Sequence, residues 1–182
     1  MELNSKALKE LGTRLVETRL KLELSLSEDS KNAFEAEFLD ISFSQVSPVD
    51  RWINNIYSRS EARDSDPLVL ELLCELYKKL DGLEMMLSKE SKSFLELKYE
   101  AYSTFLGHGV IVLEDSKNLE PFKEYYARLS LPVFPTREVP LFATLEPEGI
   151  LKITKMGKKD IEDFDNYIAL VERESIRNLK LS

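Results

Sequence analysis

Five short segments between residues 96 and 156 alternate or concentrate apolar side chains as strands do, and the intervals between them are short. ELKYEAYSTF (96–105) puts Leu97, Tyr99, Ala101, Ser103 and Phe105 on one face, because successive side chains of an extended chain point to opposite sides. GVIVLED (109–115) is β-branched and apolar, and FKEYYARLSL (122–131), EVPLFATLE (138–146) and GILKITKM (149–156) follow. Glu146-Pro147-Glu148-Gly149 joins the last two and reads as a hairpin-type turn. Pro140 cannot donate to a ladder, so it marks an edge or a bulge. Closely spaced strands of this length predict a small antiparallel barrel or sandwich. A helix ends the chain. Asp160 is its expected cap, Glu162 and Asp163 favour the positive end of its dipole, and Arg173, Arg177 and Lys180 favour the other end. Ile161, Phe164, Ile168, Val171 and Ile176 or Leu179 form its expected apolar face.

A second feature precedes the strands. Asp66-Pro67 supplies a cap and a first-turn proline. Val69, Leu73, Leu76, Leu80, Leu83 and Leu87 then recur in alternating steps of four and three, a heptad seam with Leu73, Leu80 and Leu87 at a and Val69, Leu76 and Leu83 at d. Lys79 at g and Glu84 at the next e are complementary across a parallel interface. Leu70, Leu72, Tyr77 and Met86 widen the apolar face. Two readings stand: a helix packed on its own domain, or an oligomer or partner seam. The 3.5-residue spacing favours the seam, whereas Gly82 costs about 1 kcal/mol relative to Ala and argues against an independently stable zipper.

The first 57 residues mix signals. Leu3, Ala7, Leu8, Leu11 and Leu15 fall at helical spacing, while Leu20, Leu22, Leu24 and Leu26 alternate with polar residues as in a strand. Phe34, Phe38 and Ile41 fit a helix, but AEFLDISF fits a strand equally. Ser47-Pro48 opens a short helix whose stripe is Val49, Trp52, Ile53 and Ile56. The expected organisation is an N-terminal α/β module over 1–57, a polar linker over 58–66, the leucine-rich helix over 67–90 and a barrel with its terminal helix over 94–182. The fold class is α+β.

Composition removes several function classes. Acidic residues number 33 against 25 basic ones, a formal net charge of -8, which disfavours nucleic acid and anionic membrane surfaces as main partners. One cysteine and one histidine supply neither an internal disulfide nor a zinc cluster, and the cysteine usage suits a reducing cytoplasmic setting. No apolar run approaches the ~20 residues of a membrane span. No Gly-rich phosphate loop is present. No cofactor and no enzymatic activity are expected.

The strand region together with the terminal helix resembles the PilZ family. LSLPVFPTREVPLFATLE (129–146) looks like the central hairpin of PilZ-like proteins of bacterial motility systems. KKDIEDFDNYIALVERESIRNLK (158–180) looks like the family's closing strand-to-helix end, and GHGVIVLEDS (107–116) resembles the strand after its signature loop. The leucine-rich helix, 67–87, is similar to the helix that oligomerises some atypical members. The resemblance spans about 67–180. It implies a six-stranded barrel closed by a C-terminal helix, and a regulatory or scaffolding role in flagellar or surface motility within cyclic di-GMP signalling.

The family's cyclic di-GMP site uses RxxxR followed by D/N-x-S-x-x-G, the arginines gripping phosphates and stacking on guanine. Aligning Gly109 with the motif glycine puts Thr104 and Leu106 at the Asp/Asn and Ser positions; aligning Gly107 puts Tyr102 and Thr104 there. SKESKSFLELKYE (88–100) has no arginine. By resemblance this is a degenerate PilZ-like barrel that does not bind cyclic di-GMP. The alternative is a receptor with a non-standard site. Arg14 and Arg19, one residue too far apart for RxxxR, precede Asp40-Ile41-Ser42, and Gln45 stands where the glycine would be.

Other candidates carry little chemistry. His108, between two glycines, reads as a turn residue, and Cys74 at heptad position b reads as an apolar filler. Asp160, Glu162, Asp163 and Asp165 suit a helix start without a metal ion. Trp52 and Tyr57 suit either the N-terminal core or a partner patch, and Arg137 either a partner contact or a strand end. The expected protein is a cytoplasmic, non-enzymatic one that works through protein partners and has no membrane insertion. A homo-oligomer through 67–87 is one form of that contact.

Overall fold

The computed structural model describes residues 12–44, 94–133 and 137–181, with Leu68, Val69, Leu72, Leu73, Glu75, Leu76, Tyr77, Lys79 and Leu80 between them. Strands β1 (Val16–Glu17) and β2 (Lys21–Leu26) are followed by helix α1 (Lys31–Ser44). Strands β3 (Tyr99–Gly107), β4 (Val110–Leu113), β5 (Glu124–Leu131), β6 (Arg137–Glu146) and β7 (Ile150–Met156) lead into helix α2 (Lys158–Leu181). The strands pair antiparallel in the cycle β2–β5–β6–β7–β4–β3 and back to β2, which closes a six-stranded barrel. Among the described residues, closure leaves no long unpaired strand edge.

Strand β2, from the N-terminal region, is part of this barrel. Strand β2 lies between β3 and β5, pairing Leu24 with Tyr99 on one side and with Ala127 on the other. An α/β module over 1–57 ahead of a barrel over 94–182 is therefore not the observed partition: the sixth barrel strand comes from the first thirty residues. Its alternating leucines do what their period implies, with Leu22 and Leu24 wholly buried inside the barrel. Strand β1 continues the same path along β3, Val16 opposite Leu106. In the irregular stretch between β1 and β2, one side chain adds to the backbone bonds from the Thr18 N–H to Thr104 and from the Ser103 N–H to Leu20. The buried Ser103 hydroxyl donates to the Thr18 carbonyl at 2.7 Å and accepts from the Leu20 N–H at 2.9 Å.

Leu22, Leu24, Leu106, Ile111, Tyr125, Leu129, Leu141, Leu145 and Leu151 fill the barrel, each essentially solvent-free, and Phe164 and Ile168 of α2 join the same cluster. A fully buried side chain of this size contributes roughly 1.5–3 kcal/mol. Residues 34–41, which suit helix or strand in isolation, are helical. Phe34, Phe38 and Ile41, spaced i, i+4, i+7, form the buried face of α1. This helix covers the outside of β5 and β6. Phe34 stacks on Tyr126 at 5.0 Å between ring centroids, and Phe38 meets Phe142 at 5.6 Å. Tyr125 and Tyr126 are thus both buried, one inside the barrel and one beneath α1.

Pro140 lies in β6 one residue beyond the last β7 partner, Leu141 opposite Met156, so its missing N–H costs no bond on that side. A register shift follows at Phe142/Ala143. The terminal helix starts earlier than its expected cap. The Ile161 N–H already reaches the Gly157 carbonyl, so Asp160 belongs to the first turn and does not cap it. Ile161, expected on the apolar face, is exposed. Among the described residues, no helix is long and apolar enough to cross a membrane.

Candidate functional site

The four residues of the non-standard ligand site do not converge. Arg14 Nη1 donates to Glu172 of α2 at 2.7 Å. Arg19 donates to Glu114 at 3.1 Å and lies over the Tyr102 ring, 3.9 Å from its centroid. Ser42 donates to Asp160 at 3.3 Å, while Asp40 is exposed on α1. Glu172 and Asp160 are twelve residues apart on one helix, about 18 Å along its axis at 1.5 Å per residue. Arg14 and Ser42 therefore sit at separate levels of α2. Each arginine faces a carboxylate, which neutralises the charge a phosphate would need.

Gly107 explains how Arg14 reaches this position. A Cβ there would lie 2.9 Å from the Arg14 carbonyl oxygen and 2.8 Å from Leu15, so only glycine lets the chain start cross so close to the end of β3. His108 in the next turn contacts Asp165 of α2 through Nδ1 at 2.7 Å, with both side chains exposed.

Arg137, considered above as a partner contact, turns its guanidinium onto α2. It forms ion pairs with Asp160 and Asp163. Asp160 is buried, and burial raises its pKa above the usual aspartate value although Arg137 and the Ser42 hydroxyl pull the other way. Ser42 at the end of α1, Arg137 at the start of β6 and Asp160 at the start of α2 thereby join three elements. The acidic helix start is answered by an arginine. Among the described residues, no group of three His, Cys, Asp or Glu side chains is placed to hold a metal ion.

A second ionic node has no counterpart in the sequence reading. Arg128 is only 3% exposed. It donates to Glu37 at 2.8 Å, to Glu23 at 2.7 Å and to the Leu95 carbonyl at 2.7 Å, and it faces the Phe94 ring. Glu37 also accepts from the Tyr126 hydroxyl at 2.8 Å and from the Leu95 N–H at 2.6 Å. Burial opposes the charge on Arg128, but Glu23 and Glu37 outweigh it and its pKa is raised. The Tyr126 hydroxyl is raised far above its ordinary value, first by burial and then by Glu37. The node fastens α1, β2 and β5 to residues 94 and 95, where the chain enters the barrel after the leucine-rich segment. The sequence hint is a lone arginine on the outward face of β5, two residues from Tyr126; α1 and residues 94 and 95, all distant in sequence, enclose it.

The leucine-rich segment differs from all of these. Its described residues are helical, and the seam positions Val69, Leu73, Leu76 and Leu80 are 51%, 50%, 55% and 52% exposed. Leu72 and Tyr77 beside them are also exposed. Leu83 and Leu87 of the seam lie outside the described residues, as do Trp52, Tyr57, Cys74 and the 58–66 linker. Among the described residues, this apolar face is at least half exposed at every position.

No family model, no curated protein and no solved structure matches this chain.

Proposed function

We propose that the chain is a degenerate PilZ-like protein that acts without enzymatic chemistry, as a regulator or scaffold of bacterial flagellar or surface motility. It works through protein contacts made by the leucine-rich helix. The exposed seam of Val69, Leu73, Leu76 and Leu80 carries this reading, since four large apolar side chains at heptad spacing are the pattern with which a helix packs on another helix. A closed six-stranded barrel with a C-terminal helix supports the PilZ-like part. The pairing of Arg14, Arg19, Arg128 and Arg137 with carboxylates supports a barrel that does not receive cyclic di-GMP.

Affinity capture from the native cell tests the functional part, using the full chain and a Leu76→Glu, Leu80→Glu variant. Motility components should co-purify with the former and be lost with the latter. Their absence from both, or equal recovery with both, contradicts the proposal.

A further inference from the structure

Among the described residues, two that are not glycine adopt positive φ, Phe122 at 61° and Glu148 at 71°, and they share one rim of the barrel. The Phe122 N–H donates to the Leu145 carbonyl at 2.6 Å, and the Leu145 N–H returns to the Lys123 carbonyl at 3.0 Å. Glu148 lies in the Pro147–Gly149 turn just beyond β6. Left-handed backbone is a genuine outlier for a bulky residue, and glycine is the relaxed choice there. Phe122 is nevertheless 70% exposed, the most exposed large apolar side chain among the described residues. Its loop is held firmly: the Tyr125 hydroxyl accepts from the Glu120 N–H at 2.6 Å, and Leu119 packs on the barrel core. A rigid base thus presents a phenylalanine to water in a strained conformation, a combination that folding alone does not favour.

The surroundings define what fits it. Pro121 and Pro147 are exposed, and Glu120 and Glu124 lie two residues either side of Phe122, while Glu146 and Glu148 follow Leu145, its backbone partner. The nearby cations are engaged: Lys123 pairs with Glu28 at 3.4 Å and Lys152 with Glu146 at 3.2 Å. Among the described residues no cation is paired with Glu120, Glu124 or Glu148. An acidic rim repels a second copy of this acidic chain, nucleic acid and anionic lipid alike.

We propose that the rim of Pro121, Phe122 and the 146–149 turn docks a basic protein segment bearing an apolar pocket, with Phe122 as the anchor. This surface is separate from the leucine seam and rests on the reading of the chain as a protein that works through protein contacts. The aromatic ring supplies the buried contact, and the glutamates steer and select a Lys/Arg-rich partner.

The test places a photo-crosslinking benzoylphenylalanine at position 122, at Leu170 as an exposed control and at Leu76 in the seam, each in the full chain in its native cell. The protein captured at 122 is then purified and its binding measured against wild type and Phe122→Gly, at low and high salt. Adducts at 122 should exceed those at 170 and map to a Lys/Arg-rich segment. Phe122→Gly should bind at least about tenfold more weakly. The same variant should unfold on the order of 2–4 °C higher, because glycine relieves the strained backbone. Wild-type affinity should fall with added salt. The proposal is overturned by adducts at 122 no stronger than at 170, by a captured segment that is acidic or another copy of this chain, or by unchanged binding of Phe122→Gly. Adducts at 76 without adducts at 122 overturn this inference alone, whereas adducts at neither overturn the protein-contact reading as well.

Discussion

Arg128 and Glu37 meet at 2.8 Å beneath helix α1, with their side chains only 3% and 9% exposed. A buried ion pair of this kind tolerates loss of both charges far better than loss of one. Arg128→Met leaves Glu37 charged and enclosed, and should cost about 3–5 kcal/mol in urea unfolding. Arg128→Met combined with Glu37→Met should recover part of that loss. A single-variant cost under about 1 kcal/mol, or a double variant that costs the full sum, contradicts a strongly coupled buried pair.

Phe38 joins α1 to the barrel through Phe142. Phe38→Ala should cost about 3–5 kcal/mol through lost burial and the cavity left behind. Amide exchange should accelerate first within Lys31–Ser44 while β5 and β6 remain protected. Uniform acceleration across the barrel would show that α1 is not a separately opening cover.

Two carboxyls give opposite pH dependences. The hydrogen bond from Arg128, opposed by desolvation, holds Glu23 below the ordinary glutamate value of 4.5. Its stabilisation is present above that unfolded value and is lost as pH falls through the lower folded one. Asp160 is raised above 3.8 by burial. The folded state holds its proton more tightly, so its contribution is complete below 3.8 and is lost as pH rises through the folded value. Unfolding free energies between about pH 3 and about pH 7 should therefore show a shallower acid-side loss in Glu23→Gln. In Asp160→Asn the decline on the rising side should disappear, whatever happens to overall stability. Slopes identical to wild type in both variants contradict these assignments.

The strand pattern was legible because each segment carries its own period. The runs at 96–105, 109–115, 122–131, 138–146 and 149–156 became β3 to β7 with ends shifted by a few residues. Leu22 and Leu24 also announced a strand, but nothing local says that it pairs with residues near 100 and 127. That pairing spans the whole leucine-rich segment, so the local pattern suggests a separate N-terminal module, whereas β2 pairs within the barrel. The helix–strand ambiguity at 34–41 has a similar cause. Phe34, Phe38 and Ile41 become a helix face only because Tyr126 and Phe142 offer an outer barrel surface to cover. The sequence does not pair Arg137 with Asp160 and Asp163, which lie more than twenty residues away. Nothing local marks Arg128, because its burial depends on α1 and on residues 94 and 95.

Cyclic di-GMP should give no calorimetric heat above dilution with the purified chain. Arg14→Ala and Arg19→Ala should each change stability by less than about 1 kcal/mol, since both pairs are solvent-exposed. Micromolar or tighter binding, weakened by either substitution, would establish the non-standard receptor instead.

The central claim is that the leucine seam is a contact surface. Sedimentation equilibrium of the full chain beside its Leu76→Glu, Leu80→Glu variant addresses it most directly if the partner is another copy of the chain. The wild type should sediment as a multiple of 21.0 kDa and the variant as a single chain. A wild type of single-chain mass at all concentrations, with the variant identical, contradicts a self-associating seam.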